Sequence, residues 1–150
     1  TNAYASQRQM YLDWNFNYLQ NNSSYSFEDA ELQDGNELTM PRVFFLTTKG
    51  SASASEAVIN ALVPYLGKDN VVTIGDVTHG KPVGMSGRTY GINYYFLINF
   101  FVRNNVAETT SFNGIPVTCA AEDDLTHLMG DANETMLKTA LNYIETGVCL

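Results

Sequence analysis

Gly50-Ser51-Ala52-Ser53-Ala54-Ser55-Glu56, a run of small residues closed by a carboxylate, separates two apolar segments of different character. Before it, Arg42-Val43-Phe44-Phe45-Leu46-Thr47 is apolar and β-prone, bounded by Pro41 and by Lys49-Gly50. After it, Val58, Ile59, Ala61, Leu62 and Leu66 recur at helical spacing over Ala54 to Leu66. The spacing therefore predicts a strand, a tight turn and a helix, with the serines at the helix start. Beyond Gly67-Lys68-Asp69-Asn70, Val71 to Ile74 reads as a second, continuously apolar strand of the buried parallel kind. Strand, helix and strand make a βαβ unit, right-handed by the general rule. The fold class expected is α/β.

A serine at a helix start sits beside unpaired N–H groups and the positive end of the helix dipole. Both stabilise an oxyanion forming on an attacked carbonyl. Thr78-His79-Gly80-Lys81 downstream places a lysine in a glycine-flanked turn, a base for the serine's proton once its own charge is suppressed. The plain alternative is structural. Ser53-Ala54-Ser55-Glu56 fits a capping box, and any helix can begin that way.

Ser-Ala-Ser-Ala-Ser-Glu, the apolar helix, and then Val71-Val72-Thr73-Ile74-Gly75-Asp76-Val77-Thr78-His79-Gly80-Lys81 together resemble the tail-specific, or C-terminal processing, serine peptidases. The match is good from Pro41 to Val83 and loose elsewhere. The resemblance implies a layered βαβ core of the ClpP/crotonase type and a Ser-Lys dyad hydrolysing peptide bonds of protein substrates. Ser53 would be the nucleophile, Lys81 the general base, and the Ala54 N–H one oxyanion donor. Glu56 matches the glutamate three positions after the family's nucleophile and has a supporting role. The alternative on the same fold is a non-catalytic module holding a peptide or a hydrophobic ligand.

This sequence departs from the family in several places. Some relatives place a glutamine four residues after the lysine, where this chain has Met85. Others use an aspartate on the helix after the nucleophile, where Asn60 and Pro64 stand. The orienting partner of Lys81 is thus unassigned, with the Thr78 and Ser86 hydroxyls as candidates. Nothing before Pro41 resembles the family's upstream glycine-rich turn, which supplies the second oxyanion N–H, and no PDZ module is readable. Residues 1–150 are therefore expected to form a single domain, the C-terminal portion of a peptidase catalytic domain, with 1–40 poorly assigned. A missing domain or a second copy would cover the surface left open. His79 stands where relatives carry an aromatic ring; it either tunes the lysine or replaces the ring. His79, Tyr90 and Tyr94 are candidates for lining the cleft.

Composition narrows the partners. The 150 residues are 45% hydrophobic and 16% charged, which suits one globular domain. A net charge of −8 with no basic patch argues against nucleic acid. No apolar run reaches the roughly 18 residues a membrane span needs. The chain opens at Thr1 without a signal-peptide pattern, as a processed protein or an excised piece would. No cofactor is expected. With His79 and His127 well apart and no HExxH pattern, no metal site is expected either. The glycine-dense stretch from Gly75 lacks the phosphate-binding GxxxxGK[ST] pattern. Cys119 and Cys149 are compatible with a bridge or with two free buried thiols. An extracytoplasmic location, in the periplasm or cell envelope and in a lipoprotein context, follows from the resemblance.

The rest of the chain is scaffold in this reading. Tyr11, Trp14, Phe16, Tyr18 and Leu19 form a strand or an aromatic edge helix, and Asn21 to Ser24 a loop. Ser26 to Leu32 makes a helical turn or stays irregular, and Asp34-Gly35-Asn36 is a turn. Pro64 is expected to end or bend its helix. Gly75, Gly80, Gly84 and Gly87 are not expected in the middle of strands. Thr89 to Arg103 gives one long or two short strands, and Glu108 to Phe112 pairs back before the Asn113-Gly114 turn. Asp123 to Gly130 is a short acidic helix or turn. A final helix starts near Asn133 or Glu134, packs Met136, Leu137, Ala140, Leu141 and Ile144, and stops at Gly147.

Overall fold

The computed structural model describes residues 7–27 and 40–150. In chain order the elements are β1 (Arg8–Trp14), a 3-10 helix (Phe16–Asn21), β2 (Ser23–Ser26), β3 (Val43–Thr47), α1 (Ala54–Leu66) and a 3-10 turn (Lys68–Asn70). They continue with β4 (Val71–Gly75), β5 (Val83–Tyr90), β6 (Asn93–Asn104), β7 (Cys119–Ala120) and α2 (Thr135–Thr146). Among the described residues the strands form two sheets, ordered β3-β4-β7 and β2-β1-β6-β5.

The three-stranded sheet is the βαβ unit. β3 and β4 run parallel, from Val43 opposite Val71 to Thr47 opposite Gly75, and β7 adds in parallel beyond β4. All five residues of β4 are buried, as a central parallel strand requires. Val72, Ile74, Cys119, Met136 and Ala140 form the core, with Phe44 and Tyr143 packed on it. β7 pairs through just Ile74–Cys119 and Gly75–Ala120, too short to leave a pattern in the sequence. A disulfide joins Cys119 to Cys149 and so ties the C-terminus to the core. It resolves the open choice between a bridge and free thiols.

Helix α1 spans Ala54–Leu66 and runs through Pro64 to the Gly67 cap. Proline therefore does not end it. The carbonyl that Pro64 leaves without its usual donor is that of Asn60, and the Asn104 side-chain amide of β6 donates to it at 3.3 Å. Asn104 is fully buried, and its Oδ1 also accepts from Val106 and Glu108. One side chain thus repairs the helix and closes the turn after β6. Glu108 to Phe112 forms no strand; the Glu108 carbonyl accepts from Asn104 N–H, and the Thr109 hydroxyl donates to Val102 O.

The second sheet is antiparallel. β5 and β6 form a hairpin turning at Gly91-Ile92, and β1 lies along β6 from Met10 opposite Asn104 to Trp14 opposite Phe100. Of the aromatic segment, Tyr11 and Trp14 lie in the strand β1, and Phe16, Tyr18 and Leu19 lie in the 3-10 helix. β2 begins at Ser23 and ends at Ser26, so Asn21 to Ser24 is only partly loop and Ser26 is extended rather than helical. The remainder of the segment to Leu32, and Asp34 to Asn36, lie outside the described residues.

Gly84 and Gly87 fall inside β5, against expectation. A Cβ on Gly84 would come within 2.0 Å of the Phe100 ring, and one on Gly87 within 1.9 Å of the Tyr94 hydroxyl. These glycines make room for cross-strand rings. The outer part of the hairpin, from Arg88 through Ile98, is exposed along both strands, and Ile92 at its tip is 101% exposed.

In α2 the buried residues are Met136, Thr139 and Ala140, while Leu141 and Ile144 are exposed. The helix is capped by Glu134, whose carboxylate accepts from Met136 and Leu137 N–H, and it stops at left-handed Gly147. Asp123 to Gly130 forms turns, not a helix. Asp124 is held by Thr126 and His127, and these contacts lower its carboxyl to about 2.

Candidate functional site

The serine run arrives at the C-terminal end of β3 and is folded back on itself before α1 starts. Ser51 N–H donates to Thr48 O at 2.9 Å, and Thr48 N–H to Ser51 Oγ at 3.1 Å. Ser53 then caps α1 in a conformation rare outside glycine, with φ 54° and ψ −107°. Such strain costs about 1–3 kcal/mol and persists only where the surroundings impose it. The capping box is formed as its spacing suggested, with Ser53 N–H donating to Glu56 Oε2 at 2.9 Å. Ala54, the first residue of α1, is exposed, and its N–H has no acceptor among the described residues.

Glu56 is fully buried and organises far more than the cap. Its Oε1 accepts from the Thr78 hydroxyl at 2.5 Å and from Gly80 N–H at 2.7 Å. Its Oε2 accepts from Lys81 N–H at 2.8 Å as well as from Ser53 N–H. Burial raises the carboxyl's pKa. The Thr78 hydroxyl and the Lys81, Gly80 and Ser53 amides outweigh it, leaving Glu56 below its ordinary 4.5. One carboxylate oxygen therefore joins the Ser53 backbone to the Lys81 backbone, and their amide nitrogens can be no further apart than the two bonds laid end to end. Glu56 brings together the two motifs that the sequence separates by more than two dozen residues.

The turn carrying Lys81 is braced from behind. Thr78 Oγ1, besides donating to Glu56, accepts from Ile115 N–H at 2.7 Å. His79 N–H donates to Ser51 O at 2.8 Å, and its side chain is exposed. Gly80 has φ +85°, and a Cβ there would lie 2.2 Å from Phe112 O. Gly80→Ala is expected to cost about 3 kcal/mol, since it adds a backbone clash to a left-handed φ. Urea denaturation of the variant measures this. A loss under about 0.5 kcal/mol would mean that the turn is not packed this way.

Neither hydroxyl considered as a partner for Lys81 serves it. Thr78 is committed to Glu56 and Ile115, and Ser86 Oγ accepts from Asn99 Nδ2 at 2.5 Å. Among the described residues no hydrogen bond links Lys81 Nζ to Ser53 or to any other group. Met85 is exposed in β5. Tyr90 and Tyr94 lie on the exposed hairpin rather than in a cleft, Tyr90 being 81% exposed. No cluster of three metal-ligating side chains occurs among the described residues.

The chain is similar to an S41 protease. The solved structure of the protein named "Putative S41 protease", from Bacteroides fragilis NCTC 9343, superposes with a TM-score of 0.86 at 26% identity over 96% of this chain. The fold is thus that of the S41 protease neighbour across nearly the whole chain. A lipoprotein from Streptococcus agalactiae shares the fold more distantly, with a TM-score of 0.59 and 10% identity over 97% of this chain. The chain spans 38% of the first of these proteins and 47% of the second. No family model matches the sequence. No curated protein matches it either.

Sequence reasoning placed Ser53, Ala54, Glu56 and Lys81, and the first three do stand at the start of α1. It missed that Thr78 and Gly80 are bound to the same carboxylate. Their signal is the Thr-x-Gly spacing before Lys81, legible only once a buried acceptor is supplied. It also assigned no chemistry to the segment containing Trp14, which lines an apolar cavity beside the Lys81 turn.

Proposed function

We propose that this chain is the C-terminal portion of a tail-specific serine peptidase's catalytic domain, with a layered core of the ClpP/crotonase type. Ser53 is the nucleophile and Lys81 the general base. The observation that carries this reading is the Glu56 carboxylate, which anchors the Ser53 and Lys81 backbones through one oxygen while Ser53 is held at positive φ. The S41 protease likeness supports it.

In the first step the neutral Lys81 amine takes the hydroxyl proton of Ser53, whose Oγ bonds to the scissile carbonyl carbon. The carbonyl π pair moves to oxygen, where the Ala54 N–H and the α1 dipole stabilise it. The pair returns as the C–N bond breaks, and the amine leaves with the proton held by Lys81. Water then releases the acyl group from Ser53 by the same sequence. The substrate is a peptide or protein, and neither metal nor cofactor takes part. The setting is extracytoplasmic, which the Cys119–Cys149 bridge supports. The uncovered hairpin is where a further domain or a second copy of the chain packs.

A fluorophosphonate probe tests the reading. A covalent adduct on Ser53, absent from Ser53→Ala and formed far more slowly by Lys81→Met, is the expected result. An unlabelled Ser53 would favour the second reading, a non-catalytic binding module, which the absence of a Ser53–Lys81 hydrogen bond among the described residues supports.

A further inference from the structure

We infer that the apolar cavity between the end of β1 and the middle of β6 is a pocket for one large apolar side chain of a bound peptide, set beside the Lys81 turn. That the occupant is a peptide rests on the peptidase reading; the pocket does not. The cavity measures about 510 Å³, ample for a large side chain and its adjoining backbone. Trp14, Val83, Ile98, Phe100, Phe101 and Phe112 make most of its wall. Its two charged groups, Asp13 and Arg103, neutralise each other at 2.7 Å, so the pocket offers little to a charged side chain.

The wall and the Lys81 turn are one piece of structure. Val83 follows Lys81 by two residues, and Val102 N–H donates to the intervening Pro82 carbonyl at 3.0 Å. The Phe112 carbonyl abuts Gly80. A side chain seated here would fix the position of its own backbone relative to Lys81, as a specificity pocket must.

Two polar atoms of lining residues point to the occupant's class. Among the described residues, Trp14 Nε1, a donor, and Asn99 Oδ1, an acceptor, are buried without a hydrogen-bond partner. Asn99 is 6% exposed and sits in the β6 bulge, where pairing passes from Gly84–Phe100 to Met85–Ile98. Its other amide atom is spent on Ser86. Nearly all buried polar atoms in proteins are paired, and an unmade bond costs about 1–3 kcal/mol. A peptide unit supplies one carbonyl and one N–H, the complement of this pair. A hydrocarbon chain leaves both atoms unpaired, and a carboxylate meets the Asn99 oxygen with another acceptor. Both atoms have almost no accessible surface, so pairing them with the peptide requires the Trp14 and Asn99 side chains to turn.

Trp14 is the single tryptophan of the chain, so its emission reports occupancy without any need for catalysis. Short capped peptides with a central Phe or Leu are expected to shift that emission saturably, and to bind at least about tenfold tighter than their Gly or Asp counterparts. Ile98 is 65% exposed, so Ile98→Asp should fold normally. It is expected to weaken binding about tenfold, whereas Ile92→Asp, at the hairpin tip, leaves it unchanged. Several outcomes would overturn the inference: no response to any peptide at millimolar concentration, equal response to Phe and Asp peptides, a stronger response to octanoate than to the peptides, or loss in Ile92→Asp but not in Ile98→Asp. A labelled Ser53 with a silent Trp14 removes the pocket and keeps the peptidase. A responsive Trp14 with an unlabelled Ser53 does the reverse.

Discussion

Glu56→Ala is expected to lose about 4 kcal/mol of stability and, on the proposed peptidase reading, nearly all reactivity of Ser53 towards an active-site probe. The variant leaves the Ser53, Gly80 and Lys81 amides and the Thr78 hydroxyl facing a void. Each buried donor left unsatisfied costs about 1–3 kcal/mol, and the four are coupled, so the sum is less than four separate losses. Glu56→Gln keeps the volume but turns an N–H₂ group towards other donors, and should recover only part of the loss. The pH dependence separates charge from shape. Because folding lowers the Glu56 carboxyl below its ordinary 4.5, its contribution is complete above that pH and disappears as pH falls through the folded value. Urea midpoints should therefore drop on acidification in the native protein and drop less in Glu56→Gln. Parallel pH curves for the two proteins, or a loss under about 1 kcal/mol in Glu56→Ala, would show that this carboxylate does not organise the site.

Breaking the Cys119–Cys149 bridge is the second large effect. The bridge closes a loop across a sequence separation of 30, and the chain-entropy relation gives about 3–4 kcal/mol for a loop of that length. The loop contains all of α2, whose Met136 and Ala140 complete the core around Ile74. Cys119 is buried while the chain from Glu145 to Leu150 is exposed, so Cys149→Ser mainly frees the tail and the end of the helix. Thermal or urea unfolding with and without reductant measures the loss. A difference of less than about 0.5 kcal/mol would mean that α2 is held by packing alone.

The βαβ unit was legible because every signal for it is local. Apolar β3 and β4, the small-residue run and the periodic helix lie within about thirty residues of one another, and their neighbours in sequence are their neighbours in space. The antiparallel sheet was harder, since β1 pairs with a strand some ninety residues away and its aromatic residues carry no register. Gly84 and Gly87 misled for a related reason, because what fills the space above each is a ring from the opposite strand. Leu141 and Ile144 misled because helical spacing gives a face but not which face meets the core. At the candidate site, Ser53 and Lys81 were named through the resemblance to the tail-specific peptidases, and Glu56 through that resemblance and its capping position. The four-way grip of Glu56 needed the fold, as did the pairing of Trp14 with Asn99 around one cavity.

The two sheets share no strand among the described residues, and the chain passes from β4 in one to β5 in the other through the turn that holds Lys81. Lys81 is therefore a hinge pin rather than a passenger on either sheet. Its amide is secured by a carboxylate on α1, a third body lying against both β4 and β6. Loosening any of the three frees that proton, so its exchange with deuterium samples whichever opens most readily. The slowest rate this single amide can show is set by the weakest of the three, and a substitution anywhere in the chain that softens one of them will register there.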